Sequence, residues 1–421
     1  MEIYHGDILY SENREKLNVY ENSYIAVENG LVEGIYAQIP EKFSGVEVTD
    51  YGRALIIPAF SDLHVHAAQF IQRGIGMDLL LSDWLNIYTF PQESHFADPS
   101  YAEPIYEAYV NDMIRHGTFH ACIFTTIHRH ATNILFKKLE EKGLRALVGK
   151  VNMDFQSPDY LCETTEESLR ETEIFLDEHS GGERVKPILT PRFVPTCSRE
   201  LLWGLGKLGK KYQVGVQTHV VESRWEAAES LRLFPDCRSD SEIYEKAGLL
   251  GTGPSVFAHV IFPTEDDLRV MKEYHCTAVH CPDATNNVIA GIMAVDRLHR
   301  EGLHLALGSD IGAGQQNGIY RQCAAAVKLS KLKEFYEPEL GKTINIADSF
   351  YMATKAGGEV FGNVGTFEPG YVFDALVIDN LEDEGHPMTP AQRLERFCYA
   401  GDDRNIIARY LNGSFVGNVS F

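Results

Sequence analysis

The chain has 421 residues, 44% hydrophobic and 23% charged, an ordinary globular composition that excludes a disordered or fibrous protein. Its 60 Asp and Glu outweigh 38 Lys and Arg for a formal charge of −22, which repels phosphate backbones and anionic membranes and argues against nucleic acid as a partner. No apolar run reaches the roughly 20 residues of a membrane helix, and the start MEIYHGDILY lacks the charged-then-apolar pattern of a secretory signal.

In chain order, the segments MEIYHGDILY, NSYIAVENG, LVEGIYAQI and VEVTDYGRALIIPAF alternate apolar and polar residues between turn signals, which predicts short strands. The late segment NVGTFEPGYVFDALVIDN has the same character. Residues 1–58 and 366–421 are therefore expected to form one small β-sandwich domain built from both termini. Between them come eight apolar runs: LIIPAFSDLHVH, FHACIFTTI, RALVGKVNM, VKPILTPRF, VGVQTHVV, PSVFAHVI, CTAVHCP and LHLALGSD. Stretches of helical spacing separate them, such as TEESLRETEIFLDEH and TEDDLRVMKEY, the latter capped by Thr264. Buried strands alternating with helices predict an α/β fold with a parallel sheet, and eight units predict a (β/α)₈ TIM-like barrel over residues 59–365. The alternative is an open doubly wound sheet, which the absence of a GxGxxG after the first strands weakens. Eight scattered cysteines without a CxxC pair read as buried thiols of a reducing compartment, so a soluble cytoplasmic protein is expected.

In such a barrel, chemistry gathers at the strand ends. The first strand ends in Asp62-Leu63-His64-Val65-His66, and residues two apart on a strand share a face, so His64 and His66 can grip one ion. The fifth ends at His219, the sixth at His259 and the eighth at Asp310. Alone, each has an ordinary reading: a chance HxH, a hydrogen-bonded core histidine, a helix cap. Together they are polar residues in apolar strands, which cost energy unless something pairs with them. Imidazoles with a carboxylate suit zinc or iron(II) with a coordination position left open for water. Glu222, three residues beyond His219, falls at the loop mouth, where a carboxylate can shuttle protons. His280 ends the seventh strand, as a substrate contact or as packing.

The segments PAFSDLHVH, THVVES, FAHV, VHCP and LGSD, in this order, resemble the amidohydrolase superfamily of metal-dependent barrels. HVHAAQF, LLLSDWLNIYTFPQE, VGKVNMD, ETTEESLRETE and VKPILTPRFVPTCS are similar to its nucleobase deaminases, in particular those acting on guanine. The resemblance implies hydrolytic deamination of guanine to xanthine and ammonia. It implies His64, His66, His219 and Asp310 as ligands of one zinc ion per chain, iron(II) being the alternative. It implies Glu222 as acid/base and His259 as the histidine that polarises the attacking water or the reacting edge, with Asp310 taking the water proton. Gln69, Arg192 and Phe193 match the purine-binding positions, and their chemistry suits a planar heterocycle, since they supply a forked donor, an amide and a stacking ring. For Arg192, a structural salt bridge is the competing reading. The resemblance also implies a homodimer and a place in purine catabolism. Thr285-Asn286 stands where the family often has Ser-Asn after the HCP motif.

Three rivals remain. One is a related deaminase acting on 8-oxoguanine, a pterin or cytosine. Another is a two-metal hydrolase, which commonly needs a bridging lysine at the end of the fourth strand, where this chain has Arg192-Phe193 and Lys186 lies at the start. The third is a non-catalytic barrel, against which the complete ligand set counts.

Overall fold

The computed structural model describes residues 1–383 and 385–417; residues 384 and 418–421 of the expected C-terminal segment lie outside the described residues. Strands β1 (Glu2–Asn13), β2 (Lys16–Glu28), β3 (Leu31–Tyr36) and β4 (Val48–Pro58) come first. They are followed by β5 (Phe60–His66), β6 (Thr118–Phe124), β7 (Arg145–Gly149), β8 (Val151–Asn152), β9 (Val185–Pro187) and β10 (Thr190–Pro191). Next come β11 (Val216–Val220), β12 (Ser255–His259), β13 (Thr277–His280) and β14 (His304–Leu307). β15 (Ala375–Ile378), β16 (Ile406–Leu411) and β17 (Ser414–Phe415) close the order.

The two ends of the chain meet in a seven-stranded sheet of order β17-β16-β15-β4-β1-β2-β3, in which the C-terminal β15 lies against β4. Strict alternation gives this sheet two apolar faces. Ile8, Ile56, Val377 and Ala408 share one cluster, whereas Leu9, Leu55, Ile57 and Leu376 belong to the main core with the central helices. The chain leaves the sheet at Pro58, which has no N–H to extend the ladder, and enters β5 at Phe60.

Each of the eight expected runs contributes a strand. They form two four-stranded parallel ladders, β5-β6-β7-β9 and β11-β12-β13-β14. The fold is thus α/β, with parallel strands alternating with helices such as Thr165–His179, Arg199–Tyr212 and Glu265–Glu273. Thr264 caps the last of these in a box with Asp267, whose backbone N–H donates to the Thr264 hydroxyl at 3.2 Å. The fourth run differs from expectation: it breaks into β9 and β10, because Pro187 and Pro191 cannot donate to a ladder. Hydrogen bonds link the ladders at both edges. Leu189 N–H donates to Gly215 O at 3.0 Å and Gln217 N–H to Leu189 O at 2.9 Å. On the other side, Asp310 N–H donates to His64 O and His66 N–H to Ile311 O, both at 2.8 Å. Cys122, Leu147, Val256, Val279 and Ala306, from five strands of the two ladders, share one buried cluster, so these faces look toward each other. No helix among the described residues is long and apolar enough to cross a membrane. All the cysteines are unpaired, and all but Cys162 are buried.

Candidate active site

The polar strand ends converge above this apolar layer. His64 and His66 leave β5 on one face with ring centroids 5.0 Å apart. His219, on β11, donates its Nδ1–H to the Arg192 carbonyl at 2.6 Å. A carbonyl only accepts, so this bond fixes the proton on Nδ1 and leaves the Nε2 lone pair facing His66 Nε2, 3.1 Å away. Asp310 Oδ1 lies 3.3 Å from His64 Nε2 and 3.6 Å from His66 Nε2, and its Oδ2 lies 3.9 Å from His259 Nε2. His259 and Asp310 hold positive φ values of 73° and 47°, costly for residues with a Cβ. Backbone hydrogen bonds to the neighbouring strands, from Asp310 N–H to His64 O and from Val260 N–H to Val220 O, hold the two segments in that conformation.

Burial, with the Arg192 charge adding to it, pushes His64 down to about 3; burial and neighbouring imidazoles hold His66, His219 and His259 well below the usual imidazole range. Burial raises the Asp310 carboxyl well above the ordinary carboxylate range. His64 Nε2 and both ring nitrogens of His259 are buried without a hydrogen-bond partner among the described residues. Neutral imidazoles with lone pairs aimed at one another and at a carboxylate are costly unless a cation joins them. His64, His66 and His219, and again His64, His259 and Asp310, place ligand atoms within 4.8 Å of one another. This nitrogen–oxygen donor set fits a divalent transition metal.

Two local devices hold the cluster. Asp62 accepts from Ser309 N at 2.9 Å and from His64 N at 3.2 Å, clamping β5 to the turn before Asp310. Gly308 lies so close to β5 that an added Cβ would sit 2.9 Å from that of His64, so only glycine fits.

Glu222 stands beside the cluster, its Oε1 3.8 Å from His259 Nε2. Burial, with Asp310 nearby, pushes its carboxyl up to about 8. Its backbone N–H donates to Glu226 at 2.8 Å, which sets the start of the following helix. His280, at the end of β13, is buried, and burial pushes it down to about 3.

Of the residues expected on the substrate side, Arg192 is buried and makes a bidentate ion pair with Glu93 at 2.7 and 3.1 Å. The salt bridge weighed against a substrate contact therefore exists. Gln69, also buried, donates to Glu93 at 2.8 Å and accepts from Gly312 N at 3.0 Å. Phe193 is half-buried, its ring 6.4 Å from His219 and 6.5 Å from the exposed Trp225. Thr285 spends its hydroxyl on the carbonyls of Cys281 and Pro282, and Asn286 is exposed. Lys186 is exposed on β9. Sequence reasoning missed Glu93: it lies in the segment LLLSDWLNIYTFPQE, but no spacing connects it with Arg192, 99 positions away.

The amidohydrolase family model matches residues 55–416, and the chain belongs to that family, whose members work with a divalent metal. Within it, the chain is similar to the guanine deaminase of Dictyostelium discoideum, at 31% identity over 99% of this chain and 98% of the relative. It is 33% identical to the human guanine deaminase over 86% of this chain and 82% of that protein. Among solved structures, that of guanine deaminase from C. acetobutylicum with guanine bound in its active site superposes with a TM-score of 0.95 at 40% identity, covering 99% of this chain and 100% of that one.

Proposed function

We propose that this protein hydrolyses guanine to xanthine and ammonia. The observation that carries a hydrolytic reading is the buried convergence of four imidazoles and Asp310 beside Glu222. The choice of guanine is supported by the similarity to guanine deaminases over nearly the whole chain.

In this reading His64, His66, His219 and Asp310 hold one ion per chain, zinc before iron(II). Such an ion supplies a water whose pKa falls from roughly 15.7 toward about 7. The chain's own residues do the rest. Arg192 and Gln69 present donors to the carbonyl edge of the base, and Phe193 offers a ring face for stacking. His280 stands as a further substrate contact. His259, flanked by Asp310 and Glu222, orients the attack on the carbon bearing the exocyclic amine. Asp310 takes the proton of the attacking water. Glu222 gives a proton to the ring nitrogen beside the reacting carbon, so that negative charge does not build up there. Asp310 passes its proton to the amine and Glu222 regains one from the new hydroxyl, so that ammonia departs and xanthine remains.

The same reading makes residues 59–365 a closed (β/α)₈ catalytic barrel and residues 1–58 with 366–421 a small β-sandwich domain. Support comes from the hydrogen bonds at both edges of the two ladders and the two-faced terminal sheet. A homodimeric, cytoplasmic enzyme of purine catabolism completes the proposal, and the unpaired cysteines suit a reducing compartment. The test is incubation of metal-loaded protein with guanine, 8-oxoguanine, a pterin and cytosine, following ammonia release and the ultraviolet change to xanthine. Guanine is expected to give the highest kcat/KM. A protein that leaves guanine intact but deaminates another member of the panel would replace the substrate assignment.

A further inference from the structure

Glu93 is 1% exposed and lies in the short helix Phe90–Ser94, outside the strand-end cluster. A carboxylate is costly there unless its oxygens are satisfied. Its two oxygens meet three N–H groups: Oε2 accepts from Arg192 Nη1 at 2.7 Å, and Oε1 accepts from Arg192 Nη2 at 3.1 Å and from Gln69 Nε2 at 2.8 Å. The Arg192 guanidinium also lies over the Phe90 ring, 5.3 Å from its centroid. Glu93 therefore fixes both side chains that the functional reading places on the base, without belonging to the ion's ligand set.

The fixing has a polarity. An ionised carboxylate only accepts, and the backbone N–H of Gly312 only donates. Gln69, held between them, has one permitted orientation: its NH₂ toward Glu93 and its oxygen on Gly312 N at 3.0 Å. Flipping the amide would set oxygen against oxygen at one end and N–H against N–H at the other. Arg192 has donors only. Glu93 takes one hydrogen of the Gln69 NH₂ and one from each Arg192 Nη atom, so the second amide hydrogen and the remaining guanidinium hydrogens are what the pair has left to offer, while the Gln69 oxygen is turned onto Gly312 N; such N–H groups suit the oxo edge of a purine and oppose an amino group in that place.

We propose that Glu93 is a positioning residue that sets the donor polarity of Gln69 and Arg192 and thereby selects a 6-oxopurine over a 6-aminopurine. This rests on the guanine reading above and deepens it. Glu93→Gln keeps the size of the side chain but lets position 93 donate as well as accept, releasing both the ion pair and the lock on the Gln69 amide.

The experiment compares metal-loaded wild type and Glu93→Gln on guanine and on 2,6-diaminopurine, which carries an amino group in place of the oxo group. The latter is read as substrate or, without turnover, as a competitive inhibitor. The variant's KM for guanine is expected to rise about tenfold or more, because the buried Arg192 loses its charged partner, while kcat stays within about threefold. The preference for guanine over 2,6-diaminopurine is expected to fall by a similar factor. A purely structural role would lower the melting temperature and leave that preference unchanged, which would overturn the proposal, as would an unaltered KM. If Glu93→Gln does not fold, Glu93→Asp retains the charge with one methylene less reach. An intermediate KM there supports the proposal, and a wild-type KM and preference overturn it. A wild-type enzyme inactive on guanine would remove the functional reading itself, an outcome distinct from an active wild type with an indifferent variant.

Discussion

One buried histidine and a cluster of four differ in how their ring nitrogens are satisfied, and the difference separates a structural arrangement from one suited to chemistry. His120, on β6, is fully buried, and both ring nitrogens are satisfied: Nδ1 lies 3.0 Å from Ser61 Oγ and Nε2 2.9 Å from Asp374 Oδ2. Asp374 also accepts from Asn412 N at 2.6 Å, so the group fastens β6 to the C-terminal segment. His64, His66, His219 and His259 are also buried, but their Nε2 atoms turn toward one another and toward Asp310. Burial alone does not mark a functional histidine. What sets these four apart is convergence: their ring nitrogens meet one another and a carboxylate within 4.8 Å instead of each finding its own partner.

That contrast can be broken from either side. The largest expected effect is at the convergent end: His219→Ala should abolish both metal content and guanine turnover, read by elemental analysis of dialysed protein and by ammonia release. An active, metal-replete variant would end the comparison. Glu222→Gln should keep the metal and lower kcat by about 10²–10⁴-fold, the usual worth of a general acid–base group; near-normal turnover would remove Glu222 from the mechanism. At the satisfied end, Asp374→Asn should lower the unfolding free energy by about 1–3 kcal/mol in urea titrations, since it perturbs a buried hydrogen-bonded pair. Metal content and kcat should stay as in wild type; a loss of metal would show that the two groups are coupled. The smallest effect is expected for Lys137→Ala, whose partner Glu141 lies 3.6 Å away with both side chains largely exposed. Its unfolding midpoint should match wild type within error, because such a pair contributes little.

The strand ends were legible because they break a local pattern. Histidines and an aspartate interrupt runs of Val, Ile, Leu, Phe and Ala, and the HxH spacing alone places His64 and His66 on one side of a strand. The Thr264 cap was legible for the same reason, since a capping box closes within four residues. Arg192 was only half legible: its candidacy for the substrate came from resemblance, and its ion pair with Glu93 depends on a contact no periodicity records. The break in the fourth run was written in Pro187 and Pro191, but eight apolar runs at regular spacing outweighed it.

From sequence alone came the α/β class, the two terminal segments sharing one character, and the histidines and aspartate that end the apolar strands, because alternation, helical spacing and polar interruptions are properties of neighbours along the chain; their roles came from resemblance. Tertiary structure alone decided that the Nε2 atoms of His66 and His219 come within 3.1 Å, that His219 is oriented by the Arg192 carbonyl, and that Glu93 holds Arg192 and Gln69 together. Those are contacts between segments far apart in sequence, and their cost or benefit is set by the absence of water around them, a condition that exists only once the whole core has closed.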